Sequence, residues 1–362
     1  MQPTKAVFRR GASADFVKEV KERVAAYFQD RGISDKANAA MVLKTVLLLA
    51  FTFGCYGLLY TGWFGPWAML GLAILMGVGW AGIGFGIGHD AIHGAYSKRG
   101  WVNRLLGWSF EILGASSYMW RLTHNGIHHT WTNVPDLDED LVVTPVLRLT
   151  PHAERQWFHR FQTLFALPAY ATATLFWVFA KDYKYFFARQ LGPHRDKRHP
   201  PSAWTSLVLG KIVHYGWTIV LPLLFLDITW WQFGIGYLAM HLTAGLILGV
   251  IFMLAHVVEQ VDYPKPAPDG QLPDAWMVHQ LRTTADFARR NRLLGWYVGG
   301  LNFQVEHHLF PTVCSVHYHK ISPIVEEVAR KHGVPFNDNP TFREALGSHF
   351  RMLHRLGQPA TA

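Results

Sequence analysis

An all-α integral membrane fold, with four transmembrane helices arranged as two hairpins, is what this sequence predicts. Three observations lead there. Half of the 362 residues are hydrophobic and only 16% are charged, against about a quarter charged in ordinary soluble domains. Four stretches approach the roughly 20 apolar residues needed to cross a bilayer. Lys and Arg are missing from the two short connections between those stretches, but frequent in the N-terminal arm, the long 88–206 segment and the C-terminal region.

The N-terminal arm, residues 1–40, is expected to carry an amphipathic helix over 13–31. Ser13 is a candidate N-cap, Phe16, Val20, Val24 and Phe28 share a face, and Gly32 follows as a stop. Such a helix either packs on the protein or lies on the membrane surface with Lys18, Lys21 and Arg23 at the headgroups. The first span, about 41–62, contains VLLLAFTFGCYGLLYTGW. The second, about 66–88, includes Gly82, Gly84, Gly86 and Gly88, small enough for close helix packing. The third, about 207–226, has Lys211 near one end, where its ammonium can snorkel. The fourth covers about 232–254. Phe64-Gly65 joins the first pair and 226–231 the second. Segments 105–120 and 161–180 are shorter or broken by Gly and Pro168, so they are expected to be interfacial or buried. The domain plan is an arm at 1–40, a membrane domain at 41–330 and a tail at 331–362. The positive-inside rule places the arm, the 88–206 segment and the C-terminal region in the cytosol.

The formal charge of +9 does not point to nucleic acid, because the basic residues are interleaved with apolar stretches and form no known nucleic-acid-binding motif. Anionic headgroups or phosphate-bearing carriers suit them better. Cys55 and Cys314 give no disulfide framework. The first apolar run begins near Met41, so a cleavable signal is not expected.

The histidines carry the chemistry. Twenty in this length would give roughly one His-His pair by chance, so a lone pair means little. Their clustering matters more. His89 and His93 are four apart at the end of the second span, and so are His124 and His128, followed by His129. Four residues apart on a helix puts two imidazoles on one face, where they can converge on a metal. A third cluster joins Gln304, Glu306, His307 and His308, and His256 ends the fourth span. All fall on the same expected side of the membrane. Eight imidazoles and a glutamine exceed one ion's coordination and suit two. Imidazole serves Fe, Zn, Cu and Ni alike, so spacing does not name the metal. Asp90 and Glu306 stand where they could orient ring N–H groups, or serve as ordinary interfacial charge.

HDAIHG, HNGIHHTWTN and FQVEHHLFP, with the longer run GGLNFQVEHHLFP over 299–311, resemble the three histidine boxes of the membrane fatty acid desaturases. The Gln heading the third box resembles the front-end, linoleoyl-CoA-type branch. The likeness extends from about 40 to about 330. It implies a mushroom-like fold in which four membrane helices carry a cytosolic helical cap, with a di-iron site between them. Carried over residue by residue, His89, His93, His124, His128, His129, His256, His307 and His308 are the expected iron ligands, and Gln304 stands at a ninth position. Phe252 occupies the place of an Asn that contacts iron through water in relatives outside this branch, so that contact is in question here.

The resemblance further implies an oxygen-dependent desaturase with two iron ions and O2 as co-substrate. Its substrate would be a fatty acyl chain carried on a lipid, CoA or an acyl-carrier protein. Withdrawing hydrogen from an unactivated methylene is beyond side-chain acid–base chemistry and needs a redox cofactor. Some front-end enzymes carry a fused cytochrome b5 domain with a His-Pro-Gly-Gly motif. His199-Pro200-Pro201 is not that motif and the 40-residue arm is short for the domain, so a separate donor, such as ferredoxin or cytochrome b5 with its reductase, is expected. No GxGxxG fingerprint suggests NAD(P)H binding.

Trp120, Trp131, Trp296, Tyr297 and Phe303 either line an acyl tunnel or form core and interfacial belt. Arg121, Arg282, Arg289 and Arg290 either hold a phosphate-bearing group or remain solvated. Asp136, Asp138, Glu139 and Asp140 are expected to form a solvated loop, and the other twelve histidines, His354 among them, to stay off iron. The rival activities are a related lipid hydroxylase or ketolase and, remotely, a metal transporter, which would hold its ligands near the bilayer midplane. The expected location is an integral membrane one, the inner membrane if bacterial, with both termini and the metal site cytosolic.

Overall fold

The computed structural model describes residues 6–9, 11, 13–141 and 145–359. The remainder of the expected arm (1–5, 10 and 12) and the last three residues of the expected tail lie outside the described residues. Among these the regular structure is helical apart from two two-residue pairings, Gln190–Leu191 with His194–Arg195 and Asp286–Phe287 with Asp338–Asn339, and an isolated bridge of Val7 with Gln271. No closed sheet is present among the described residues.

Four helices are long and apolar enough to cross a membrane: Ala39–Leu59, Pro66–Ile92, Pro201–Phe225 and Trp230–His256. They correspond to the four expected stretches, with changed limits. The second continues past residue 88 because Gly84–Gly88 winds as a π-helix and hands on to His89–Ile92 without a break. The third begins at Pro201 rather than 207, since a proline at the first helical position has its φ already set for the helix. A further pair, Trp157–Ala171 and Ala173–Phe186, meets at 59° and includes Pro168 within its first member. This is the segment in which the proline argued against a straight span.

Backbone approach at glycines explains the packing. A Cβ at Gly77 would collide with the main-chain oxygen of Met240 on the fourth long helix. One at Gly79 would collide with Thr52 on the first, and one at Gly245 with the carbonyl of Ala171 on the bent pair. Small residues let apolar helices meet where lipid gives no hydrophobic drive between them. The second long helix lies at the centre, with the first and fourth against it.

The polar helices close around this framework. Ala14–Asp30 buries Phe16, Val20, Val24 and Phe28 against Ile321, Val325 and Val328 of Tyr318–Lys331, so its apolar face is covered by protein. Arg23 and Glu327 join the two helices by paired hydrogen bonds of 2.9 and 2.8 Å. Ser13 differs from the expected cap: its φ is 56° and its side chain bonds no helix N–H. The C-terminal helix Phe342–Gly357 starts with a capping box of Thr341 and Glu344 and buries Met352, Leu353 and Leu356 with Leu147, Leu149 and Ala166. Both cysteines are free and buried.

The glycine contacts yield a test. Gly77→Val should destabilise the detergent-solubilised protein by about 1–3 kcal/mol, the usual scale of overpacking. Gly71→Val on the same helix meets open space and should be near neutral. Thermal unfolding followed by size-exclusion chromatography separates them, and equal melting of the two variants would contradict the packing described.

Candidate metal centre

Four segments bring the expected histidines together. His89 and His93 end the second long helix and His256 ends the fourth. His124 and His128 lie on Arg121–His128, again a π-helix, and His129 follows it directly. His307 and His308 come from the short helix Gln304–Leu309. Wide turns of this kind recur at functional sites because they rotate side chains out of α-helical register. The third box depends on its two preceding glycines: Gly299 and Gly300 have φ of 64° and 71°, and a Cβ at 299 would collide with the Phe85 carbonyl. That close approach seats the third box against the π-turn of the second long helix.

Ring centroids lie 4.5 Å apart for His89 and His307, 4.7 Å for His93 and His129, 4.6 Å for His128 and His256, and 4.3 Å for His129 and His308. One group comprises His89, His93, His124 and His307, and another His128, His256 and His308; within each, ligand atoms lie within 4.8 Å of one another. His129 lies between the groups, its Nε2 3.2 Å from that of His124.

The outward nitrogens are held. His128 Nδ1 faces Asp138 at 3.0 Å and His124 Nδ1 faces Asp140 at 3.1 Å. His307 Nδ1 meets the Tyr318 hydroxyl at 3.2 Å, and His308 Nδ1 donates to Gln280 Oε1 at 2.8 Å. Nδ1–H donated outward leaves the Nε2 lone pair pointing inward, the arrangement by which proteins orient metal-binding histidines. Nε2 of His93, His307 and His308, Nδ1 of His129 and both nitrogens of His89 are buried with no partner. This chemistry fits metal ions. Gln304 is buried beside the box, its amide nitrogen also without a partner.

Electrostatics agree with ligation. Burial, reinforced by neighbouring imidazoles, holds His93, His124, His129, His307 and His308 well below the ordinary histidine pKa, hence neutral and able to ligate. His128 is the exception: burial opposes its charge, but Asp138 outweighs that and raises it. Burial likewise opposes charge on Asp140, yet Lys181 wins and keeps that carboxyl below its usual value. These carboxylates would offset part of the charge of bound cations.

Several expectations change. The acidic run is not a solvated loop: Asp136 is exposed, but Asp138 is buried and Asp140 mostly so, because both orient imidazoles. Asp90 stands 3.9 Å from His89 Nδ1, too far to bond it. It accepts instead from Ser315 N, Ser315 Oγ and Cys314 Sγ, tying the chain beyond the third box to the second long helix. Glu306 bonds no ring N–H: both its carboxyl oxygens are buried without a hydrogen-bond partner. Burial pushes Glu306 up to about 7 and, together with the nearby Glu306, raises Asp286 well above the usual carboxylate range. Gln280 and Tyr318 carried no motif that sequence alone could have flagged.

An apolar cavity of about 380 Å3 adjoins the centre, bounded by His128, His256, Trp120, Trp177, Phe252, Val146 and Leu147 among others. A smaller one of about 40 Å3 is lined by His89, Trp80 and Leu113 among others. Trp120, Thr174, Trp177, Leu248 and Phe252 line both. Of the five aromatics suggested by sequence, only Trp120 lines these cavities. Trp131 donates to the Ala6 carbonyl, Tyr297 to that of Val78, Phe303 is in the core and Trp296 is 43% exposed. Arg289 is committed to Glu326 and Asp338 at 2.9 and 2.8 Å, which removes it as a headgroup ligand. Arg282 is paired with Asp262 and Asp274; Arg121 and Arg290 are exposed.

Comparison with known proteins agrees with this geometry. The family model described as fatty acid desaturase matches residues 65–340. A protein named sn-1 linoleoyl-lipid 6-desaturase from Arthrospira platensis is 36% identical over 352 residues, 96% of this chain and 94% of its own length. Its namesake from Synechocystis sp. (strain ATCC 27184 / PCC 6803 / Kazusa) is 34% identical over 348 residues, 95% and 96% respectively. An acyl-lipid (8-3)-desaturase from Physcomitrium patens is 36% identical over 345 residues, covering 95% of this chain and 72% of that protein.

Removing an outer partner should loosen a ligand. Asp138→Asn is expected to weaken metal retention about 10–100-fold, measured by elemental analysis after dialysis against a chelator. Asp136→Asn, at an exposed position with φ of 63°, should retain metal like wild type; equal retention in both variants would remove the role given to Asp138.

Proposed function

This chain belongs to the fatty acid desaturase family, and we propose that within it the chain is an oxygen-dependent front-end desaturase of lipid-linked acyl chains. The observation that carries this reading is the pair of adjoining groups of inward-facing, unpartnered imidazoles beside an apolar cavity. Substrate class and position follow the relatives named linoleoyl-lipid 6-desaturases: a linoleoyl chain in a membrane lipid, gaining a double bond at carbon 6.

His89, His93, His124, His128, His129, His256, His307 and His308 would hold two iron ions, with Gln304 as a further weak or indirect ligand. The bound irons, with dioxygen, supply the oxidising power to withdraw two hydrogens from adjacent methylenes. The protein does the rest. Asp138, Asp140, Gln280 and Tyr318 keep each ring turned inward. The wall formed by Trp120, Trp177, Phe252 and Leu248 excludes water and lays the chain beside the ligands.

The membrane arrangement in this reading is two hairpins beneath a cytosolic helical cap, with termini and metal site in the cytosol. His89 and His256 lie at the C-terminal ends of their helices, and basic residues favour those ends. The membrane domain covers 41–330, with 1–40 and 331–362 as cytosolic flanks. Electrons come from a separate ferredoxin-like or cytochrome b5-type donor.

Expression in a host that contains linoleate but makes no trienoic acids tests this. A third double bond at carbon 6, located by mass spectrometry of derivatised fatty acids, is the expected product. An unaltered profile despite iron and a competent donor would defeat the proposal. His307→Ala should abolish product and lower bound iron, whereas His354→Ala, at an exposed site, should do neither.

A further inference from the structure

The charged and imidazole side chains in the wall of the larger cavity are His128, His256, Asp140 and Lys181, which lie at its metal end. Lys181 is the one cation among the lining residues, and its side chain is only 12% exposed. Its ammonium lies 3.4 Å from Asp140 Oδ1, 5.0 Å from the Trp177 ring and 5.4 Å from the Tyr185 ring. Trp177 stacks on Trp120 at 4.9 Å, and Trp120 on His124 at 4.3 Å. The ammonium therefore caps an aromatic column rooted in a candidate ligand. It also shares a carboxylate with that ligand, since Asp140 Oδ2 is 3.1 Å from His124 Nδ1. An ammonium has three N–H groups, and Asp140 engages one of them at long range.

We propose that Lys181 binds the carbonyl oxygen of the acyl ester, anchoring the carboxyl end of the chain beside the metal centre so that the reacting carbons are counted from it. This rests on the reading above, that the double bond is introduced near the carboxyl end of a lipid-linked chain. In that case only a few methylenes separate the carbonyl from the reacting carbons. The carbonyl must then lie in the same part of the cavity as His128 and His256. Charge selects which group is bound. Lys181 and Asp140 offset each other and the wall has no second Lys or Arg, so a phosphate would bring negative charge that no side-chain cation in the wall is left to balance. A neutral carbonyl needs one N–H. From there the chain runs along Trp177, Trp120 and Phe252, which line both cavities, toward the smaller one.

Binding measured without turnover tests the contact. The probes are a linoleoyl ester lipid and its ether-linked analogue, which lacks the carbonyl, added to purified wild type, Lys181→Met and Lys181→Arg. Wild type and the Arg variant should prefer the ester about tenfold, the scale of one hydrogen bond from a charged donor. The Met variant, with equal bound metal, should show no preference. Equal binding of both lipids by wild type, or a preference that survives in the Met variant, overturns the proposal. Loss of metal from the Met variant would also overturn it, assigning Lys181 to the support of Asp140. In the linoleate-containing host, the Met variant should give double bonds displaced from the wild-type position. An unshifted product in unchanged yield refutes the anchoring role. Failure of wild type to desaturate would defeat the proposed function alone, because the ester preference is read separately.

Discussion

The structure depends on lone pairs buried without partners. An unsatisfied buried polar group costs about 1–3 kcal/mol, and in the volume around the histidine cluster Nε2 of His93, His307 and His308, Nδ1 of His129 and both nitrogens of His89 are buried without a partner. Protein contacts alone give no return for such an arrangement. Coordination does, because each inward nitrogen then has a ligand bond in place of water. Every element that touches this volume can be understood as delivering an imidazole, orienting one or keeping water away.

Delivery comes from helix ends. The second and fourth long helices meet through Gly77 and Met240, which brings His89, His93 and His256 to one end of the bundle. The π-turn over Gly84–Gly88 allows the third box to approach closely, because Gly299 rests on the Phe85 carbonyl. Asp90 then fastens Ser315 and Cys314 to the same helix. Removing any one of these contacts would move a histidine pair as a unit, since each pair is rigidly carried by its helix.

Orientation and charge are handled together. Asp138 and Asp140 turn His128 and His124 inward and supply negative charge beside a site that would hold cations. Asp286 and Glu306 are equally buried but bond no ring N–H, and burial raises both, which disfavours their charge. The same Asp140 links the centre to Lys181 and to the apolar cavity. One carboxylate therefore joins ligand orientation to the place where a chain would lie.

The sequence by itself determined the four long apolar helices, the three histidine clusters and His256. These are legible because they rest on local rules: a run of apolar residues long enough to cross a bilayer, and imidazoles four residues apart on one helical face. Tertiary structure alone decided what surrounds them. Asp138 and Asp140 looked like a solvated loop because nothing local shows that residues ten and sixteen positions after a histidine fold back onto it. Gln280 and Tyr318 reach their histidines across 28 and 11 residues, with no periodicity to mark them. Trp120 became a cavity wall while Trp131 and Phe303 became core, and Arg289 was consumed by an internal ion network, since which face of an aromatic or basic residue is covered depends on packing distant in the chain. Spacing along one helix can be read from the sequence; distances between helices exist only once the chain has folded.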